Sequence, residues 1–122
     1  MTDKSVTDKS VTDKDKAILK KIIDYIDDVG QYVQGFDFDS FIRDKKTLSA
    51  CAFSVSQIGE LVGELSAGIQ NSNADIPWRS IRGMRNKIVH DYEKIDFTVL
   101  WGTIESSLPE LKNQLIEILK KL

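Results

Sequence analysis

The sequence predicts an all-α fold, a bundle of four main helices. Three observations support this prediction. Apolar residues recur every three or four positions through most of the chain after residue 14, which is the period of an amphipathic helix. Asp, Asn, Gly and Pro stand at the ends of these periodic segments, where helices commonly start and stop. No segment shows the strict alternation of apolar and polar residues that is typical of a strand.

The composition is that of one soluble domain. The chain has 122 residues, of which 41% are hydrophobic and 30% charged, and this length suffices for a hydrophobic core. The apolar runs are too short to span a membrane, and the polar N-terminus lacks the apolar core of a signal peptide. We therefore expect a cytoplasmic protein without a membrane anchor.

A single cysteine and a single histidine limit the possible metal and redox chemistry. Cys51 has no partner for an intrachain disulfide, and we expect it to be a small buried residue. One Cys and one His cannot form a zinc site within one chain. Since no Asp/Glu cluster demands magnesium either, we expect neither a metal nor a cofactor.

The first fourteen residues repeat the pattern Thr-Asp-Lys-Ser-Val. A five-residue period fits neither a helix nor a strand, and the segment is polar. We expect residues 1–14 to be frayed and residues 15–122 to form the domain.

The first helix is expected to start near Asp13 or Asp15, either of which can cap it, and to stop at Gly35. A short aromatic and acidic connection should follow, with Asp39 as a possible cap. The apolar positions of this helix are Leu19, Ile22, Ile23, Ile26, Val29 and Val33.

The second helix is expected over residues 44–70. Its apolar stripe has the spacing of a bundle seam and consists of Leu48, Cys51, Val55, Ile58, Val62, Leu65 and Ile69. A second strip contains only small residues, namely Ala52, Ser56, Gly59, Gly63 and Ala67. Such a strip lets another backbone approach closely, either within the bundle or across a dimer.

A third helix is predicted from Pro77 to His90, since proline suits a first helical turn. Its core side should carry Ile81, Met84 and Ile88, and the other side Arg79, Arg82, Asn86 and His90. Arg85 lies about 140° of helical rotation from His90. An ideal helix therefore cannot aim both at one point, so either the helix loosens at its end or the site draws on two chains.

The last helix is predicted from Phe97 to Leu122, with Asp96 as its cap. Pro109 interrupts its hydrogen bonding, while the apolar phase continues on both sides. This combination favours a helix that is kinked near Ser107, and two helices placed end to end are the alternative. The stripe is Phe97, Trp101, Ile104, Leu108, Leu111, Leu115, Ile118 and Leu122.

The residues from Arg85 to Tyr92 offer the chemistry for breaking a phosphodiester without a metal. His90 can move protons near neutral pH, and Arg85 can hold a phosphate. Four cations and no acid stand between Pro77 and His90, on a chain of net charge −2, which indicates a local anion site. The simpler interpretations are a solvated helix face and a histidine at a helix end. Glu60 and Glu64 offer carboxylates for acid–base chemistry, but we expect them to form surface salt bridges to Arg79 or Arg82 instead.

The segment Ile-Pro-Trp-Arg-Ser-Ile-Arg-Gly-Met-Arg-Asn-Lys-Ile-Val-His-Asp-Tyr at residues 76–92 resembles the signature of HEPN-domain proteins of the HepT-like branch. Ile58-Gly59-Glu60 and Leu108-Pro109-Glu110-Leu111 resemble other parts of that family. The resemblance implies an antiparallel bundle that forms homodimers and acts as a metal-independent endoribonuclease. Such proteins are toxins of type VII-like toxin–antitoxin pairs, and the partner is a cognate minimal nucleotidyltransferase.

The resemblance also implies roles for single residues. Arg85 and His90 match the catalytic pair, Asn86 the residue that supports it, and Tyr92 the position at which the antitoxin attaches AMP. Arg79 and Arg82 are candidates for binding RNA phosphates. The alternative function is a non-catalytic helical module that engages a nucleotidyltransferase or a nucleotide.

Overall fold

A computed structural model describes residues 2–90 and 94–122, with side chains from residue 10 onward except at 89 and 90. Apart from one short ladder, the secondary structure elements of the described part are helices, so the all-α prediction is confirmed. A π-helical turn covers Thr103–Ser107, and the ladder joins β1 (Val89–His90) to β2 (Lys94–Ile95). The α-helices are α1 (Thr2–Tyr32), α2 (Phe38–Arg43), α3 (Lys45–Glu64), α4 (Ala67–Ser72), α5 (Trp78–Arg82), α6 (Met84–Ile88), α7 (Phe97–Gly102) and α8 (Leu108–Lys121).

Helix α3 lies at the centre of the bundle. It packs against α1, α2, α5 and α6, and α1 also packs against α8. All seven residues of the apolar stripe predicted for the second helix are buried, so that stripe lies in the core. Cys51 is among them, and burial raises the pKa of its thiol to about 11, so it acts as an uncharged packing residue. No helix in residues 2–90 or 94–122 combines the length and apolarity needed to cross a membrane.

The first helix starts at Thr2, so the expected start near Asp13 or Asp15 is wrong. Asp15 instead has a tertiary role. Asp15 is buried, and its carboxylate accepts two hydrogen bonds from Ser66. The backbone N–H of Ser66 donates at 2.9 Å and the Ser66 hydroxyl at 2.6 Å. The division of the chain at residue 14 stays a prediction.

The connection after α1 also differs from the prediction in its cap. Asp37, rather than Asp39, caps α2 by accepting the Ser40 backbone N–H at 2.8 Å. Hydrogen bonds from the backbone and the hydroxyl of Ser40 lower the pKa of Asp37. Asp44 caps α3 in the same way through Thr47, whose backbone and hydroxyl lower the pKa of Asp44.

The predicted second helix is divided into α3 and α4. Leu65 has an extended backbone (ψ 144°), and Ser66 then caps α4 by accepting the Ile69 N–H. Leu65 and Ile69 are buried on either side of this break. The apolar stripe therefore continues across it, which is why periodicity alone predicts one helix.

The predicted third helix is also divided, and it ends earlier than expected. Helices α5 and α6 are separated at Gly83, and α6 ends at Ile88. Val89 pairs with Ile95 and His90 with Lys94 in the antiparallel ladder. The prediction of no strand is wrong here, because strands of two residues are too short to show an alternating pattern.

The last predicted helix is continuous but irregular. Asp96 caps it, as predicted, by accepting the Val99 N–H at 3.0 Å. The π-helical turn then links α7 to α8 just before Pro109, with right-handed helical backbone at Gly102 and Leu108. A wider turn at this point accommodates the ring and the missing N–H of proline. The alternative of two separate helices placed end to end is therefore wrong, and the kink near Ser107 stays a prediction.

The glycines of the small-residue strip serve packing within the chain. A β-carbon at Gly59 would lie 3.2 Å from the backbone carbonyl oxygens of both Ile81 and Arg82. One at Gly63 would lie 3.3 Å from Nε of Arg82. The absence of a side chain at Gly59 thus lets the α5 backbone approach α3, which answers the open question of what this part of the strip packs against.

Alanine at these two glycines is expected to have opposite effects on stability. Gly59→Ala should lower the free energy of unfolding by up to about 2 kcal/mol. The clash of the new methyl group with the α5 backbone costs more than the higher helix propensity of alanine contributes. Gly63→Ala should raise the free energy of unfolding by about 0.5–1 kcal/mol, because only the flexible Arg82 side chain must shift. Urea denaturation of both variants measures the difference, and a Gly59→Ala variant at least as stable as Gly63→Ala would contradict this packing.

Candidate active site

The predicted site residues lie along α5, α6 and β1. Arg79 and Arg82 belong to α5, Arg85 and Asn86 to α6, and all four are exposed. His90 lies in β1, with its side chain outside the described part of the structure. Tyr92 lies outside the described residues altogether.

Apolar anchors hold these two short helices against the bundle. Ile81, Met84 and Ile88 are buried, as predicted, and so is Trp78. The indole N–H of Trp78 donates to the carbonyl oxygens of Gln70 and Asn73 at 3.2 and 3.1 Å. Anchored in this way, α5 and α6 leave their arginines exposed to solvent.

The change from helix to strand bears on how Arg85 and His90 can act together. On one ideal helix they would point in different directions. Helix α6 ends at Ile88, and the chain is paired as a strand at Val89 and His90. The backbone N–H of Asp96 donates to the Ile88 carbonyl at 2.6 Å and closes this end. The sequence left two alternatives, a helix that loosens at its end and a site that draws on two chains. The structure contains the first and leaves the second open.

Arg82 packs across the surface of α3. Together with Gly59, Glu60 and Gly63 it lines a cleft of about 140 Å³. Within the described residues, neither Glu60 nor Glu64 forms an ion pair, so the expected salt bridges to Arg79 or Arg82 are wrong. The positive charge of these exposed arginines is therefore not neutralised by those carboxylates.

In ranges 2–90 and 94–122, no group of three or more His, Cys, Asp or Glu side chains is placed to hold a metal ion.

The structure also contains a cavity that the sequence did not predict. It has a volume of about 790 Å³ and opens between the start of α3, strand β2 and the start of α7. Phe97 lines it and is 39% exposed, although the apolar pattern placed Phe97 in the helix stripe. Lys45 and Lys94 also line it. No sequence pattern pointed to this site, because its residues come from segments far apart in the chain.

An all-α bundle whose sequence contains arginine, four residues, histidine, one residue and tyrosine resembles HEPN-domain proteins. The family model described as "Ribonuclease HepT-like" matches residues 22–118. This chain belongs to the HepT-like family.

Curated relatives agree with this assignment. A protein of Thermococcus cleftensis named "Probable ribonuclease HepT" is 33% identical over 109 residues, covering 86% of this chain and 96% of that protein. A protein of Methanocaldococcus jannaschii, whose name provisionally calls it an RNase, is 32% identical and covers 88% of this chain and 92% of its own length. A similarly named protein of Caldanaerobacter subterraneus subsp. tengcongensis is 36% identical, covering 73% and 80%. No solved structure matches the chain.

Proposed function

We propose that this protein is a metal-independent endoribonuclease that acts as a homodimer and is the toxin of a type VII-like toxin–antitoxin pair. Its cognate partner would be a minimal nucleotidyltransferase that silences it by adding AMP to Tyr92. The observation that carries the proposal is the family match over residues 22–118, which includes the whole segment from Arg85 to Tyr92. The names of the relatives support the ribonuclease reaction.

The proposed reaction uses the nucleophile that RNA itself carries. A base removes the proton of the 2′-hydroxyl, whose oxygen attacks the adjacent phosphorus. The bond from phosphorus to the 5′-oxygen breaks, and an acid protonates that oxygen. The products are a 2′,3′-cyclic phosphate and a 5′-hydroxyl. His90 is proposed as the proton carrier, and Arg85 stabilises the negative charge that develops on the phosphate.

A dimer would supply the number of groups that this reaction needs. One chain has one histidine, whereas the reaction uses both a base and an acid. Two copies of the motif across a shared cleft offer two histidines and two arginines. The exposed side of α5 and α6, with Arg79, Arg82 and Asn86, is the proposed boundary of this cleft. Gly59 packs against the α5 backbone, whereas Gly63 is exposed beside the Arg82 side chain, and the small-residue strip stays a candidate neighbour of this interface.

The oligomeric state gives a direct test of this arrangement. We expect light scattering coupled to gel filtration to give the mass of a dimer, twice 13.8 kDa, at micromolar concentration. A stable monomer under these conditions would count heavily against a cleft shared by two protomers.

The test of the activity is cleavage of RNA in excess chelator. We expect the purified protein to cut a mixed-sequence RNA with EDTA present as fast as with added magnesium, and to leave cyclic-phosphate ends. No cleavage under either condition, by a folded dimer that still binds the nucleotidyltransferase, would instead favour the non-catalytic binding module. Cleavage only with magnesium would retain the ribonuclease and reject its metal independence.

A further inference from the structure

The cavity at the start of α3 has an apolar wall and a basic rim. Leu48, Ala52, Ile95 and Phe97 supply its apolar surface. Among the residues that the structure describes, its polar lining consists of Lys45, Ser49 and Lys94, with no acidic side chain. At about 790 Å³ it falls within the usual range for small-ligand sites, about 300–1,000 Å³.

This composition selects for a ligand with both an aromatic plane and negative charge. Phe97 keeps 39% of its surface exposed, so a flat ring could stack on it. Stacking of bases on aromatic side chains is a common means of binding single-stranded RNA. Lys45 and Lys94 are exposed on two separate elements, and both can approach a phosphate. A nucleotide within an RNA strand has this combination of groups.

Strand β2 of the cavity wall is paired with the strand that carries His90. Lys94 is the ladder partner of His90, and such partners have Cα atoms about 4.5–5.5 Å apart. Strand β2, which supplies Lys94 and Ile95 to the cavity, therefore runs beside the strand that carries His90. A single RNA strand could reach both places at once.

We propose that this cavity is a nucleotide-binding subsite for the RNA substrate, in which one base stacks on Phe97 and its flanking phosphates pair with Lys45 and Lys94. The proposal rests on the proposed ribonuclease function and extends it, because it places substrate-binding residues outside the segment from Arg79 to Tyr92. Phe97 and the two lysines are binding residues, with no part in proton transfer.

The experiment measures binding of an oligoribonucleotide whose 2′-oxygens are methylated, so that it cannot be cleaved. Fluorescence anisotropy at several salt concentrations gives the dissociation constant and its salt dependence for wild type, Lys45→Gln and Phe97→Leu. The matched controls are Lys46→Gln and Phe53→Leu. Both positions are exposed on α3, and neither lines the cavity.

Phe97→Leu and Lys45→Gln are expected to change RNA binding in different ways, one through the affinity and the other through the salt dependence. Phe97→Leu should weaken binding about tenfold with little change in the salt dependence, because a stacking contact is lost. Lys45→Gln should reduce the slope of log K against log salt by about 0.7, the value for one phosphate contact on a single strand. The Lys46 and Phe53 controls should bind as wild type does.

The possible outcomes separate this inference from the proposed function. If wild type binds and cleaves RNA while Lys45→Gln and Phe97→Leu bind the methylated strand as tightly as their controls, the subsite is wrong and the ribonuclease stands. If these variants change the mass of the dimer in light scattering with RNA affinity unaltered, the surface is a protein interface and the subsite is again rejected. A folded wild-type dimer that neither binds nor cleaves RNA overturns both.

Discussion

Arg85→Ala and His90→Ala are each expected to reduce RNA cleavage by at least about a hundredfold and to abolish growth inhibition. Loss of a positioned acid or base typically costs about 10²–10⁴ in rate, and loss of a group that stabilises developing charge costs about 10²–10³. The fold should persist. Arg85 is exposed, so the free energy of unfolding should change by no more than about 1 kcal/mol at that position.

A matched control separates this effect from a general loss of positive charge. Lys87 is an exposed cation on the same short helix as Arg85, outside the matched catalytic pattern. Lys87→Ala should keep most of the cleavage rate. Cleavage in a chelator-containing buffer and far-UV circular dichroism provide the two measurements. Full activity of either Arg85→Ala or His90→Ala, with helicity unchanged, would remove the catalytic assignment.

Tyr92→Phe is expected to keep most RNA cleavage and to escape silencing by the nucleotidyltransferase. The phenyl ring preserves packing, whereas the hydroxyl that would accept AMP is gone. If Tyr92 lies at the proposed cleft, an AMP on it adds a phosphate that the exposed arginines of that cleft can hold. It would then occupy space that an RNA phosphate needs and would repel that phosphate.

Mass spectrometry after co-expression with the nucleotidyltransferase tests this switch. Tyr32→Phe is the control, since Tyr32 is 41% exposed and lies at the end of α1, away from the motif in sequence. Wild type and Tyr32→Phe should both carry AMP and lose cleavage. AMP on another residue, or silencing of Tyr92→Phe as readily as wild type, would reject the switch even if the ribonuclease activity is confirmed.

Local features of the fold could be predicted from the sequence because they depend on neighbouring residues. The stripe that includes Leu48, Val55 and Ile58 repeats every three or four residues, so one face of α3 had to be apolar. Asp96 lies directly before an apolar helical pattern and accepts an N–H three residues on. The irregularity before Pro109 follows from proline's missing N–H.

The helix breaks could not be predicted, because they depend on distant or weak determinants. The break at Leu65 and Ser66 falls within an apolar stripe that stays regular across it. The hydrogen bonds from Ser66 at this break are accepted by Asp15, 51 residues earlier in the chain. The break at Gly83 separates two helices of five residues each, and the ladder after them involves two residues per strand. Patterns this short are below what periodicity can resolve.

The same difference between neighbouring and distant residues applies to the candidate site. Arg85, His90 and Tyr92 are close in sequence, so the family resemblance of residues 76–92 made them candidates before the fold was considered. The neighbouring cavity joins Lys45 to Lys94 and Phe97. Only the folded chain brings these segments together, and no spacing rule connects them.

The buried carboxylate of Asp15 also determines how far the chain can be shortened from its N-terminus. Its acceptor oxygens satisfy the backbone N–H and the hydroxyl with which α4 begins. A deletion that ends at Lys14 leaves this acceptor in place. A deletion that includes Asp15 removes it and leaves the backbone N–H and the hydroxyl of Ser66 without this acceptor in a partly buried position. Each unsatisfied donor there costs about 1–3 kcal/mol. One residue thus separates a truncation that keeps these hydrogen bonds from one that loosens the start of α4. The far end of α4 accepts the indole N–H of Trp78, the anchor of the arginine-bearing helices.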